Sequence, residues 1–430
     1  MTQQHYFTTL EAFVSCITKA VNLVQPEMTN HHQQVAYLSY RIAEQMHLSP
    51  AESHTLVLAS LLHDVGAIAN NDRDPFHLPE DENVHAFLGA RLFEDFPRFQ
   101  NIVPVIRYHH WTWNYGEGRS YNGEAIPELS HVLHLADAIA KRIRPDVFVI
   151  SQISPNRKWL LENRDRWFMP AAVDAFMEIA GQESLWLDLS YDPSFKYIMD
   201  DLSLDAVKLT LDETVQLTDI VSRIIDFRSP FTAMHSSGVA ATAVELARLS
   251  GFSEDECKMM HIAGNLHDLG KLAIPTEILE KDNNLEPKEY DIIRSHSYYS
   301  YKLLCDLPGF ETIAKWAAYH HEKLNGKGYP FHLKGAQLSL GSRIMAVADI
   351  FAAITEDRPY RSGMPQARAV GVIESMIRND SVSGDIGQLL IRHYEPISLA
   401  RQEASRQAVE RYQHLFELPD LPQHSAADPN

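Results

Sequence analysis

Apolar residues recur three and four positions apart through most of this chain, the spacing that lines one face of an α-helix. Leu10 to Val24, Val35 to Met46, Val215 to Ile225 and Val239 to Leu249 carry the pattern, with Gly, Pro and polar clusters between such segments. Arg157 to Leu187 also reads as helix, interrupted at Met169-Pro170. No stretch sustains the alternation of a strand, so the predicted class is all-α.

The pattern also repeats. The spacing from His31 to His63-Asp64 equals that from His235 to His267-Asp268, and His85 precedes His109-His110 as His296 precedes His320-His321. Asp137 and Asp349 follow at nearly equal distances. The flanks agree as well: LASLLHDVGAI against IAGNLHDLGKL, VIRYHH against WAAYHH, LHLAD against MAVAD. An internal duplication with an offset of about 204 residues accounts for this. It predicts two tandem helical domains, 1-205 and 206-417, with Tyr191 to Asp201 as connector and 418-430 as a flexible tail.

A length of 430 residues suits two domains, each able to bury its own core. No apolar run approaches a membrane span, and no leader precedes the first helix, so the cytoplasm is the expected compartment. Cys16, Cys257 and Cys305 form no pair of ligand or disulfide spacing and read as small buried hydrophobes. The net charge of -19 argues against a nucleic-acid polymer as partner. An anionic small molecule remains open, given metal ions and a few placed cations; a homodimer is also admitted.

The candidate chemistry centres on Ile262 to Pro275, where an apolar helix ends in His267-Asp268 followed by Gly270 and Lys271. Taken singly, each histidine is better read as a core or surface residue. The doubled set points to ligation. His235, His267, His296, His320, His321, Asp268 and Asp349 suit two transition ions such as Fe, Mn, Zn or Ni. Asp268 would bridge, with His235, His267 and Asp349 on one ion and His296, His320 and His321 on the other. Such a pair activates water as hydroxide toward a phosphodiester, and Lys271 can stabilise the charge that develops. In the first half the same types recur at His31, His63, Asp64, His85, His109, His110 and Asp137, a second candidate metal site.

Beyond the His-Asp pair lie HHEKLNGKGYP, from His320 to Pro330, and ADIFAAITEDRPYR, from Ala348 to Arg361. With these motifs the second half, from Leu211 to Arg361, resembles bacterial HD-GYP phosphodiesterases, metal-dependent phosphohydrolases that open cyclic dinucleotide second messengers. The first half resembles the same fold more loosely, WFMPAAVDAF at Trp167 to Phe176 included. The resemblance implies the seven second-half residues as metal shell, with two ions, Fe or Mn foremost and Ni or Zn next. It implies Lys271 and Asp268 as catalytic, Tyr329, Arg358 and Arg361 as substrate contacts, and Gly326 and Gly328 as the tight loop beside them.

Phe231 stands where three-metal members carry a ligand Glu, and Ser229 and Ala352 where many carry Asp. With the tandem layout, these departures imply 3′,3′-cyclic GMP-AMP as the favoured substrate, with cyclic di-GMP next, opened to a linear 5′-phosphorylated dinucleotide. In the first half Glu27 stands at the Phe231 position, Ala67 replaces the lysine, and WTWNYGEGRSYNG, Trp111 to Gly123, replaces the GYP loop. That pattern suits a structural or sensing domain that binds metal. A cyclic-dinucleotide receptor with negligible turnover, and a general nucleotide phosphohydrolase, stay open as alternatives.

Overall fold

In the computed structural model, described residues are 8–24, 30–69, 83–191, 198, 202, 207–227, 235–279, 281, 285–357 and 362–417. Their regular secondary structure is almost wholly helical. The exceptions are two short antiparallel ladders, Thr8–Thr9 with Lys208–Leu209 and Ser120–Tyr121 with Glu124–Ala125. Asn122 and Gly123 turn the second ladder with positive φ at both positions, as a two-residue hairpin requires.

Two units separate. One holds residues 25–207, joined by Glu417; the other holds residues 1–24 with 208–416. In the second, the Ala-rich helix His235–Leu249 packs against Glu254–Leu266, Leu340–Thr355 and Tyr394–Leu415. Its buried face of Val239, Ala240, Ala243, Leu246 and Ala247 is mostly small, which lets several helices approach one axis. In the other unit His31–Gln45 takes the corresponding place, against Pro50–Leu62, Glu128–Lys141 and Pro170–Ile179.

The helices that deliver the two His-Asp pairs begin alike. Ser253 accepts from the Glu256 amide at 3.3 Å while Glu256 Oε2 accepts from the Ser253 amide at 2.8 Å. Ser49 and Glu52 do the same for Pro50–Leu62, at 3.3 and 2.9 Å. Each capping box satisfies otherwise orphaned amides and fixes where the helix starts, hence where its last turn falls. The interruption read at Met169-Pro170 is real: Ile153–Asn163 ends before it and Pro170–Ile179 begins on the proline.

The start of the chain differs from the expected domain 1-205. Helix Leu10–Asn22 belongs to the unit of the second half, where Phe13 meets the Phe310 ring edge-on at 6.3 Å and the Cys16 thiol donates to the Leu303 carbonyl at 3.5 Å. Phe13, Cys16 and Ile17 lie against Leu266 and Leu269, behind the His267-Asp268 turn. Periodicity reveals an apolar face, but not which core receives it. All three cysteines are free thiols, and no described helix is long and apolar enough to cross a membrane. The expected tail 418-430 and most of the connector lie outside the described residues.

Candidate metal centres

Five elements bring the second-half set together. His235 opens one helix, His267 caps another, His296 opens a third, His320 and His321 follow Glu311–Ala318, and Asp349 lies within Leu340–Thr355. Asp268 sits between two groups of imidazoles. Its Oδ2 lies 3.1 Å from His267 Nε2 and 4.0 Å from His235 Nε2; its Oδ1 lies 3.4 Å from His296 Nε2 and 4.0 Å from His320 Nε2. Asp349 offers Oδ1 to His235 at 3.1 Å and Oδ2 to His321 Nδ1 at 3.7 Å. Asp268 thus turns one carboxylate oxygen toward each of two groups of imidazoles.

The imidazoles are held in the tautomer a metal needs. Nδ1 of His267, His296 and His320 reaches the carbonyls of Gly264, Ile293 and Ala317 at 2.7, 2.5 and 2.6 Å. A carbonyl only accepts, so each Nδ1 carries the proton and each Nε2 turns a lone pair inward. His296 Nε2 and His320 Nε2 then face one another, 3.3 Å apart, as two acceptors. Burial and neighbouring histidines keep both rings neutral, His296 held down to about 3 and His320 well below the usual range. His267 Nε2 is buried with no hydrogen-bond partner. Opposed lone pairs and an orphaned nitrogen are what a cation would resolve, so the donor set fits divalent metal.

Electrostatics agree. Burial alone would raise the Asp268 carboxyl, but the His267 imidazole and the Lys271 ammonium beside it hold it well below the carboxylate range. Lys271 Nζ lies 2.6 Å from Asp268 Oδ2. Burial presses His235 down, yet its bonds to Asp349 and Glu356 raise it to about 9. Ser300 pins the turn: its hydroxyl accepts from the Gly270 amide and donates to the His267 carbonyl, both at 2.8 Å. A Cβ on Gly270 would meet the His296 carbonyl oxygen at 1.9 Å, so only glycine lets the turn lie this close.

The GYP loop closes one side. Tyr329 packs its ring on His321 at 4.7 Å, and the Arg294 guanidinium lies over the Tyr329 ring at 5.0 Å. Gly326 has φ +75°, and a Cβ on Gly328 would fall 2.4 Å from Glu322 Cα. Arg358 and Arg361, with Ser229 and Phe231, lie outside the described residues.

Two residues that sequence reasoning passed over support this site. Glu322, buried beside the histidine pair, accepts from the amides of Phe331 at 2.7 Å and Leu333 at 2.9 Å, anchoring the loop. Glu356 accepts from His235 Nδ1 at 3.2 Å. Both lie inside the quoted stretches, Glu322 directly after the HH pair and Glu356 directly before DRPYR, and that position was the only signal.

The first-half set also converges. His31 Nε2 lies 3.1 Å from Asp137 Oδ1, His63 Nε2 3.1 Å from Asp64 Oδ2, and His85 Nε2 and His109 Nε2 lie 3.2 and 3.6 Å from Asp64 Oδ1. His110 joins through His85, Nε2 to Nε2 at 3.0 Å. His63 and His109 donate from Nδ1 to the Ser60 and Ile106 carbonyls. Nε2 of His31, His63 and His109 and Oδ1 of Asp64 and Asp137 are close to one another yet lack hydrogen-bond geometry, so this set fits metal as well. Trp111 and Trp113 pack inward, the latter donating to Asp165 Oδ1 at 3.0 Å, whereas Tyr115 is exposed; Glu27 lies outside the described residues.

Two HD domain profiles match, over residues 28–142 and 219–382. The chain is 27% identical to the 3′3′-cGAMP-specific phosphodiesterase 1 of Vibrio cholerae over 90% of its own length and 92% of that protein's. It is 33% identical to phosphodiesterase 3 of that kind from the same organism, over 61% of this chain and 56% of the relative. A cyclic di-GMP phosphodiesterase of Pseudomonas aeruginosa is 38% identical over 33% of this chain and 34% of its own. The crystal structure of the V. cholerae cyclic GMP-AMP specific phosphodiesterase V-cGAP3 superposes with a TM-score of 0.59 at 21% identity, covering 96% of this chain and 99% of that one. The chain carries two HD domains in tandem, each with a buried His/Asp cluster that could hold divalent metal.

Proposed function

We propose that the second-half centre hydrolyses a 3′,3′-cyclic dinucleotide, 3′,3′-cyclic GMP-AMP ahead of cyclic di-GMP, to the linear 5′-phosphorylated dinucleotide. The observation that carries this reading is Lys271, an ammonium 2.6 Å from the carboxylate that both imidazole groups share. The centre also stays open at His321, whose side chain is 29% exposed. Full-length similarity to a phosphodiesterase of this specificity supports the substrate class.

Two divalent ions, Fe or Mn, held by His235, His267 and Asp349 and by His296, His320 and His321 with Asp268 shared, would supply Lewis acidity and a water of lowered pKa. The chain's own residues do the rest. Lys271 keeps Asp268 oriented and sets positive charge beside the phosphoryl oxygens, where charge grows in the transition state. Tyr329, in contact with His321 and Arg294, forms a wall for the nucleotide, and Glu322 holds the loop that carries it. Arg358 and Arg361 would take the non-reacting phosphate in their guanidinium forks. The partner is a small nucleotide of the cytoplasm, not a nucleic-acid polymer or a membrane.

The test is chromatography of 3′,3′-cyclic GMP-AMP, cyclic di-GMP and cyclic di-AMP incubated with Mn- or Fe-loaded protein and with Lys271→Ala. The proposal expects linear product from the wild type, slowed roughly 10²-fold or more in the variant at unchanged metal content. Full turnover by the variant, or a mononucleotide hydrolysed faster than all three, would overturn it.

A further inference from the structure

The two centres differ by a reciprocal exchange. Four residues after the His of the His-Asp pair stands Lys271 in the second half and Ala67 in the first; four residues after the distal aspartate stands Ala353 in the second half and Lys141 in the first. The first half has therefore lost one lysine and carries another. Lys141 Nζ lies 2.7 Å from Asp137 Oδ2, as Lys271 Nζ lies 2.6 Å from Asp268 Oδ2.

Both aspartates of the first half border the same imidazoles. His31 Nε2 is 3.6 Å from Asp64 Oδ2 and 3.1 Å from Asp137 Oδ1, and His63 Nε2 is 3.1 and 3.6 Å from the same two oxygens. An ammonium on either carboxylate thus reaches one shared centre, from a different wall. In each half the lysine charge also bears on the second histidine of the pair, Lys271 on His321 and Lys141 on His110.

An ordinary helix-surface pair at this spacing joins two solvated groups and contributes little. Here the Lys141 side chain is 36% exposed while Asp137 is 3% exposed, so the lysine runs from solvent to a buried metal-ligand candidate. Charge counting gives the lysine a purpose. Two carboxylates and one ammonium among neutral imidazoles leave the centre at about +1 with one divalent ion and about +3 with two, and a buried excess of positive charge favours an anion. Without Lys141 a single ion would be neutralised in full.

We propose that Lys141 is the ammonium that holds a phosphate group at the first-half centre, in place of the lysine that Ala67 lacks, so that this centre is a second phosphate-binding site and not a metal-filled strut. The inference does not depend on the substrate assigned to the second half.

Inorganic phosphate is the probe, titrated calorimetrically into the Mn-loaded full chain, with Mn-induced broadening of the phosphorus resonance as a second readout. In the His267→Ala/Asp268→Ala chain, phosphate is expected to saturate one site. Adding Lys141→Met should weaken that site at least tenfold at unchanged metal content, and Lys141→Arg should restore most of it. Should the double variant fold poorly, Lys141→Met alone in the otherwise native chain is expected to lower the number of phosphate sites from two to one. Equal phosphate affinity in Lys141→Met, loss of metal with Lys141→Met, or persistence of the site in His63→Ala/Asp64→Ala would each overturn the proposal.

Discussion

Glu322→Gln isolates the loop from the metal. The Glu322 carboxylate takes two backbone amides, Phe331 at 2.7 Å and Leu333 at 2.9 Å, and so holds the segment that follows Tyr329. Glutamine keeps the length and one carbonyl oxygen, but its NH2 must face one of the two donors. One hydrogen bond to a charged group is lost and a buried amide left unpaired, a cost of about 2–3 kcal/mol. Because the loop and not the helical core carries that cost, it should fall on the productive placement of Tyr329, roughly 30–150-fold in kcat/KM. The assay is steady-state hydrolysis of 3′,3′-cyclic GMP-AMP beside metal analysis and a thermal melt, expecting full metal content and a nearly unchanged melting temperature. Unchanged kcat/KM would refute the anchoring role; loss of metal would show that Glu322 supports the ligands instead.

Three further outcomes follow from the geometry. Gly328→Ala forces a Cβ to within 2.4 Å of the Glu322 Cα and the Lys323 amide nitrogen, so it should displace the loop and cut activity as Glu322→Gln does; wild-type kinetics would contradict the packing. Phe13→Ala, though near the start of the chain, should destabilise the second-half unit by about 3–5 kcal/mol in a denaturant melt, and an unshifted transition would place Phe13 elsewhere. Glu356→Gln weakens the hold on His235 Nδ1 and should lower metal affinity about 10–100-fold in a chelator competition, whereas unchanged affinity would remove Glu356 from the support of that ligand.

Much of this was legible in the sequence because the chemistry appears twice. A lone His267-Asp268 pair says little, but its recurrence at His63-Asp64, with His85/His296 and Asp137/Asp349 in step, separates candidate ligands from ordinary histidines. Helical periodicity likewise announced His31–Gln45 and His235–Leu249. What stayed hidden depends on return paths. Glu322 and Glu356 act by meeting atoms nine residues or more away along the chain, and Lys141 looks like any helix cation until Asp137 is seen to be buried. The apolar face of Leu10–Asn22 predicted a helix but carried no address, and so the segment was read into the wrong half.

The most direct test compares two matched variants on 3′,3′-cyclic GMP-AMP with Mn or Fe supplied, His267→Ala/Asp268→Ala and His63→Ala/Asp64→Ala. The account predicts that linear dinucleotide disappears with the first variant and persists with the second. Product that survives the first and vanishes with the second would move catalysis to the other half, and no product from any form, with nucleotide binding retained, would make the protein a receptor.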